Sequence, residues 1–163
     1  MYFEKMVIKH TAKGVIYMNV LIDTNLALDF LYAPNKLSNA AKTILYNPKI
    51  GLYISAISLW EIEMKRIERG LGEEFNTISL TNKCRESSIK QSLVSDMDVM
   101  WLENFHIDDT DVKDIREKAI TELLLAQACS RDMVFITNDT EVAEKYKKCV
   151  GQWHNAEKSI MLV

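Results

Sequence analysis

The sequence predicts an α/β fold in which a small parallel sheet is flanked by helices on both faces. Three observations lead there. Short apolar runs at 19–23, 51–55 and 133–137 alternate with longer segments of helical period, the pattern of repeated strand–helix units. The five glycines and two prolines fill about 4% of 163 positions, against about 12% in average usage. That is too few for a sandwich or barrel built of many tight turns. Hydrophobic residues at 48% and charged residues at 26% are those of an ordinary folded globule, and the length suits one domain.

In chain order, residues 1–17 carry Lys5, Lys9, His10 and Lys13 without clear periodicity. They read as an extra strand, a loose arm, or sequence upstream of a start at Met18. Asn19-Val-Leu-Ile-Asp23 is a buried strand that ends in a carboxylate, too short for a helix. Leu26, Ala27, Phe30 and Leu31 have helical spacing that stops before Pro34. A second helix spans 38–46, with Ala40, Ala41, Ile44 and Leu45 apolar and Pro48 beyond its end. Gly51-Leu-Tyr-Ile-Ser55 is the second strand. A long helix follows, in which Trp60, Met64, Ile67 and Leu71 recur with the spacing of an apolar stripe. Gly70 and Gly72 end it. Residues 76–105 read as helical, with Leu80, Ile89, Leu93, Val99 and Trp101 apolar. Helical spacing returns from about Val112 to Ser130. Met133-Val-Phe-Ile-Thr137 is the third strand, and Thr140 to Lys148 a short helix. The tail, 151–163, has no assignable pattern and is placed on the same domain as 18–150.

Several functional classes drop out. A net charge of −3 and a pI near 5.7 exclude grip on nucleic acid through bulk positive charge, but not an acidic site neutralised by cations. Cys84, Cys129 and Cys149 form no C-x-x-C pair, so neither a disulfide framework nor a thiolate zinc site is supported; reduced cytoplasmic thiols are expected. The N-terminus is charged where a signal peptide needs an apolar run, and no stretch approaches 18 apolar residues, so no membrane contact is expected. No glycine-rich phosphate loop follows any strand. His10, His106 and His154 lack metal-ligand spacing, and Ser55 and Ser58 have no histidine partner pattern.

What remains is acidic. Ligands of a parallel α/β sheet bind beyond the carboxyl ends of its strands. Asp23 ends the first strand, Asp139 lies two residues past the third, and Glu61 sits early in the helix after the second. Three carboxylates on one edge repel unless a cation is bound or their pKa values rise. Hard oxygen ligands suit Mg²⁺ or Mn²⁺, which activate water in phosphoryl chemistry. Each acid also has an ordinary structural role open to it. Asp23 and Asp139 can cap the helices that follow, Ser58-Leu-Trp-Glu61 has capping-box spacing, and Glu61 to Lys65 is an i,i+4 ion pair. Lys65, Arg66 and Arg69, or Lys145, Lys147 and Lys148, are cations able to meet phosphates, or plain solvated helix faces.

Four motifs in this order resemble the PIN-domain nucleases, and most closely the toxin-type members of toxin–antitoxin pairs. They are Val20-Leu-Ile-Asp23-Thr24-Asn25, Ile54-Ser55-Ala-Ile-Ser58-Leu-Trp60-Glu61-Ile62, Leu124-Leu-Ala-Gln-Ala128 and Phe135-Ile-Thr137-Asn138-Asp139. The resemblance spans about 19–148, apart from 73–105. It implies a small PIN-like α/β domain that binds Mg²⁺ or Mn²⁺ through acidic residues and hydrolyses single-stranded RNA. Carried over by position, Asp23, Glu61 and Asp139 are metal ligands, and Asn25, Thr24 and Thr137 support the site. An antitoxin protein and a homodimer are the implied partners. The chain departs from the family at one point. The third acid is replaced by Thr121, with Glu122 beside it and Glu117 and Asp114 one and two turns earlier. Glu122 is taken as the fourth ligand, although one residue turns a helical side chain by about 100°. Thr121 also favours a second reading, a PIN-like module that binds RNA or a protein without cleaving. A Mg²⁺-dependent phosphohydrolase is a weaker third, because no D-x-D pair follows the first strand.

Overall fold

The computed structural model describes residues 8–11, 14–105, 115–150 and 160–163, and side chains within all of these except 8–17 and 147–150. Strands β1 (Ile8–Thr11) and β2 (Gly14–Tyr17) pair antiparallel as a ribbon. The main sheet contains β3 (Asn19–Ile22), β4 (Gly51–Ser55), β5 (Lys90–Ser92), β6 (Val134–Thr137) and β7 (Ile160–Leu162). Its order is β5-β4-β3-β6-β7 with every pair parallel. The helices are α1 (Thr24–Tyr32), α2 (Asn39–Leu45), α3 (Ala56–Arg69), α4 (Thr77–Glu86), α5 (Asp96–Met100), α6 (Ile115–Ser130) and α7 (Thr140–Val150).

Alternation along the central strands builds two cores. Val20, Ile22, Leu52, Ile54 and Ile136 face a cluster that includes Leu26, Ile44, Ile62 and Leu80 from α1–α4. Leu21 and Phe135 point the other way, onto Ile120, Leu124 and Leu125 of α6 and Ala143 and Tyr146 of α7. Burial on both faces explains why these strands are continuous apolar runs. The expected α/β architecture is the one found.

Differences from the sequence reading lie at the edges. The stretch 76–105 is not one helical region, because β5 separates α4 from α5. Lys90 and Gln91 are exposed on this edge strand, so no apolar alternation marks it. The unassigned tail supplies β7 beside β6. The first 17 residues include the β1–β2 ribbon. In α3 the predicted stripe is not the buried face: Trp60 and Ile67 are 46% and 61% exposed, whereas Ser58, Leu59, Glu61 and Ile62 are buried. Its N-cap is Ser55, which accepts from the Ile57 N–H, so Ser58 does not cap. The helix does end at Gly70, whose φ of +62° favours glycine.

A polar latch holds β5. Buried Asp98 accepts from the Ser95 N–H at 2.7 Å, from the Ser130 hydroxyl, and from Arg131 Nη2 at 2.8 Å. Arg131 also donates to Ser92 Oγ at 3.0 Å and to the Leu93 carbonyl. Burial raises the Asp98 carboxyl, but the bonds from Arg131, Ser130 and Ser95 outweigh it and hold the group down at about 2. The unfolded chain therefore takes up this proton first on acidification. The latch contributes fully above about pH 4 and is lost as the pH falls towards 2. Acid unfolding followed by circular dichroism should show that loss. Asp98→Asn should flatten it and lower stability at pH 7 by about 2 kcal/mol.

Candidate active site

The first acid is placed by strand pairing. The Asp23 N–H donates to the Ile136 carbonyl at 2.9 Å, extending the β3–β6 ladder by one bond. Its Oδ1 accepts the Thr24 N–H at 2.7 Å at the start of α1, and its Oδ2 accepts the hydroxyl of fully buried Thr137 at 2.9 Å. That same hydroxyl oxygen accepts the Asp139 N–H at 3.0 Å. Thr137 thus ties together the two strand ends that carry Asp23 and Asp139. Asp139 Oδ1 accepts the Val142 N–H at 3.1 Å in the first turn of α7. Both aspartates cap helices as well as facing one another's charge.

Glu61 arrives by helix docking. The Thr24 hydroxyl donates to Ser58 Oγ at 2.9 Å, and both residues are buried. This bond locks the start of α1 onto α3, and Glu61 follows Ser58 by three residues on the same helix face. Glu61 is 8% exposed and pairs with Lys65 Nζ at 2.7 Å. Asp23 feels the charges of the other two acids. Burial raises the Asp23 carboxyl most, the bonds from Thr137 and Thr24 lower it, and the charges of Glu61 and Asp139 add to the rise, which leaves it at about 6.

The other expected site residues lie differently. Asn25 is exposed on the first turn of α1. Glu122 is buried and faces α7, accepting from the Tyr146 hydroxyl at 3.4 Å, with Lys118 Nζ at 3.8 Å. Thr121 is partly buried. Glu117 is exposed and lines an open groove of about 100 Å³ between α3 and α6, together with Glu61, Trp60, Lys65 and Arg116. The Glu68–Arg116 ion pair, at 2.6 Å, spans the two helices there. Asp114, His106 and His154 lie outside the described residues, as do the side chains of His10, Lys147 and Lys148. Arg66 is engaged with Glu63 and Glu73. The sequence offered Lys65 as an ordinary helix pair with Glu61 or as one of a basic set able to meet phosphates, and nothing in it marked the Thr24–Ser58 bond.

Among the described residues, no three acidic, histidine or cysteine side chains stand close enough together to form a ready-made metal centre. The donor chemistry still suits a hard divalent cation, because the carboxylates crowd negative charge onto Asp23 and Glu61 already holds a cationic group. Asp23, Glu61 and Asp139 offer the carboxylate oxygens that such an ion would take.

No family model and no curated protein matches the chain. A chain in the crystal structure of VapBC2 from Rickettsia felis bound to a DNA fragment from their promoter is similar in fold. The TM-score is 0.52 and the identity 15%, over 81% of this chain and 93% of that one. A toxin–antitoxin complex from Klebsiella pneumoniae aligns at a TM-score of 0.43 and 17% identity, over 75% of this chain and 88% of that one. The first of these likenesses is one of fold alone, and the α/β architecture expected from the sequence, a small parallel sheet flanked by helices, is the one found.

Asp23 also sets a pH dependence. Its folded value of about 6 lies above the ordinary carboxylate value of 3.8, so the folded chain holds this proton more tightly. The cost of ionising it is absent below about pH 4, grows as the pH rises, and is complete above about pH 6. In chelator, Asp23→Asn should be more stable than wild type at pH 7.5, by about 1–2 kcal/mol. Urea unfolding should show that advantage vanishing near pH 4; an advantage independent of pH would contradict the assignment.

Proposed function

We propose that this chain is a metal-dependent ribonuclease that hydrolyses phosphodiester bonds in single-stranded RNA, with Mg²⁺ or Mn²⁺ as its cofactor. The observation that carries the reading is the placement of Asp23 and Asp139 on neighbouring parallel strand ends joined through the Thr137 hydroxyl, with the Thr24–Ser58 bond docking the helix that carries Glu61. Such a cluster, at the carboxyl edge of a parallel sheet, calls for a cation. The ordered motifs that resemble PIN nucleases, together with the fold, support the same reading.

In this account Asp23, Glu61 and Asp139 hold the metal. Thr137 and Thr24 fix the Asp23 carboxylate, and Asn25 lies on the exposed side of the same turn. Glu122, the fourth ligand proposed from sequence position, would have to leave Tyr146 and Lys118 to take part. A bound divalent ion would supply positive charge at the phosphodiester and a more acidic water for hydrolysis. The groove between α3 and α6 would receive the RNA strand. Trp60, half exposed beside Glu61, offers an aromatic face to a base, and Arg69 lines the same groove as a partner for phosphates, whereas Arg116 would have to leave Glu68 to serve as one. As the toxin of a toxin–antitoxin pair, the chain would act in the cytoplasm, form a homodimer and be restrained by an antitoxin protein. Among the described residues, no helix is long and apolar enough to cross a membrane.

The non-cleaving RNA- or protein-binding module remains the second reading. Thr121 at the third acid's position and Glu122 turned to Tyr146 favour it. End-labelled single-stranded RNA should be cut by the wild-type chain with Mn²⁺ or Mg²⁺ and left intact in chelator. Asp23→Asn should lose at least about 100-fold in rate, and Glu122→Gln less than about tenfold. Trp60→Ala should weaken RNA binding by about tenfold, as loss of one stacked base would. A folded wild type that binds several RNAs without cutting any would establish the binding module instead.

A further inference from the structure

The pair between Glu61 and Lys65 has a consequence for how the site takes up its cation. An i,i+4 pair on an open helix face contributes little, because water solvates both partners. This one is largely buried, with side-chain exposures of 11% for Glu61 and 19% for Lys65 and a separation of 2.7 Å. A desolvated carboxylate needs a positive partner, and Lys65 supplies it. The other two acids are held by hydrogen-bond donors instead: Thr137 and the Thr24 N–H at Asp23, and the Val142 N–H at Asp139. Lys65 is thus the cation at the Glu61 corner of the cluster. Lys65 lines the groove between α3 and α6, and its ammonium rides on a flexible four-carbon stem. It can leave Glu61 without moving the backbone of α3.

We propose that Lys65 is an internal counter-ion that a divalent metal must displace from Glu61, and that this exchange sets the metal affinity of the site. The proposal rests on the metal-dependent reading above. It makes Lys65 a positioning residue, acting through Glu61.

Calorimetric titration of the full chain with Mn²⁺ tests it, with folding checked by circular dichroism. Lys65→Met should bind Mn²⁺ about fivefold more tightly than wild type, equivalent to about 1 kcal/mol. Lys65→Arg, which keeps the charge, should stay near wild type. In a Glu61→Gln background, Lys65→Met should change the affinity less than about twofold, because the competition has lost its object. Lys65→Gln provides the same comparison if the methionine variant does not fold. Equal or weaker binding by Lys65→Met or Lys65→Gln, with wild-type binding intact, overturns the exchange and leaves the metal site standing. No Mn²⁺ binding by wild type or variants overturns the metal-dependent reading, and the exchange falls with it.

Discussion

A carboxylate buried at the edge of a parallel sheet, within reach of two other acids, is costly to ionise, and the contacts around Asp23 are arranged against that cost. Asp23 sits where β3 hands over to α1, and Asp139 where β6 hands over to α7. Each therefore meets the positive end of a helix and accepts a first-turn N–H. Thr137 adds a hydroxyl bond to Asp23 and takes the Asp139 N–H, so the two strand ends cannot drift apart. These contacts lower the cost without removing it, because Asp23 still stands at about 6. The balance left over is a demand for positive charge. Lys65 meets it at Glu61, and a divalent ion would meet it for the whole cluster.

The scaffold that enforces this geometry is apolar at its centre and polar at its rim. Residues of β3 and β6 alternate between two cores, so neither strand can slip by one residue without turning its buried face outward. That fixes the register in which Asp23 and Asp139 become neighbours. On the outer strand β5, Ser92 is held by Arg131, itself bonded to buried Asp98. The site thus depends on the tightly packed centre, while the latch governs a more distant part of the sheet.

The same division explains which features were legible in the sequence. The strands β3, β4 and β6 are buried on both faces and announce themselves as apolar runs. On the edge strand β5, Lys90-Gln91-Ser92 carries no hydrophobic signal, and on β7 the apolar Ile160-Met161-Leu162 is too short a run to mark a strand. In α3 the hydrophobic pattern pointed to the wrong face. Ser58 and Glu61, both polar, occupy buried positions for the sake of Thr24 and the site, and Trp60 and Ile67 are left outside. The positions of Asp23, Glu61 and Asp139 after successive strands were readable because topology alone brings them to one edge. The capping roles of Asp23 and Asp139 were equally readable, and both hold alongside that placement. The directions of Glu122 and Glu117 were not readable, since a one-residue offset on α6 decides direction. Glu122 turns to Tyr146, and Glu117 to the groove.

The central claim is that Asp23, Glu61 and Asp139 together form a site for one divalent cation. Its most direct test is a crystal of the chain grown with Mn²⁺, with the metal located by anomalous scattering. The account predicts a single strong peak at the carboxyl edge of β3 and β6, about 2.0–2.3 Å from oxygens of Asp23 and of Glu61 or Asp139, with Lys65 withdrawn from Glu61. An empty edge, with manganese bound only at exposed surface acids such as Glu73 and Glu74, would contradict it.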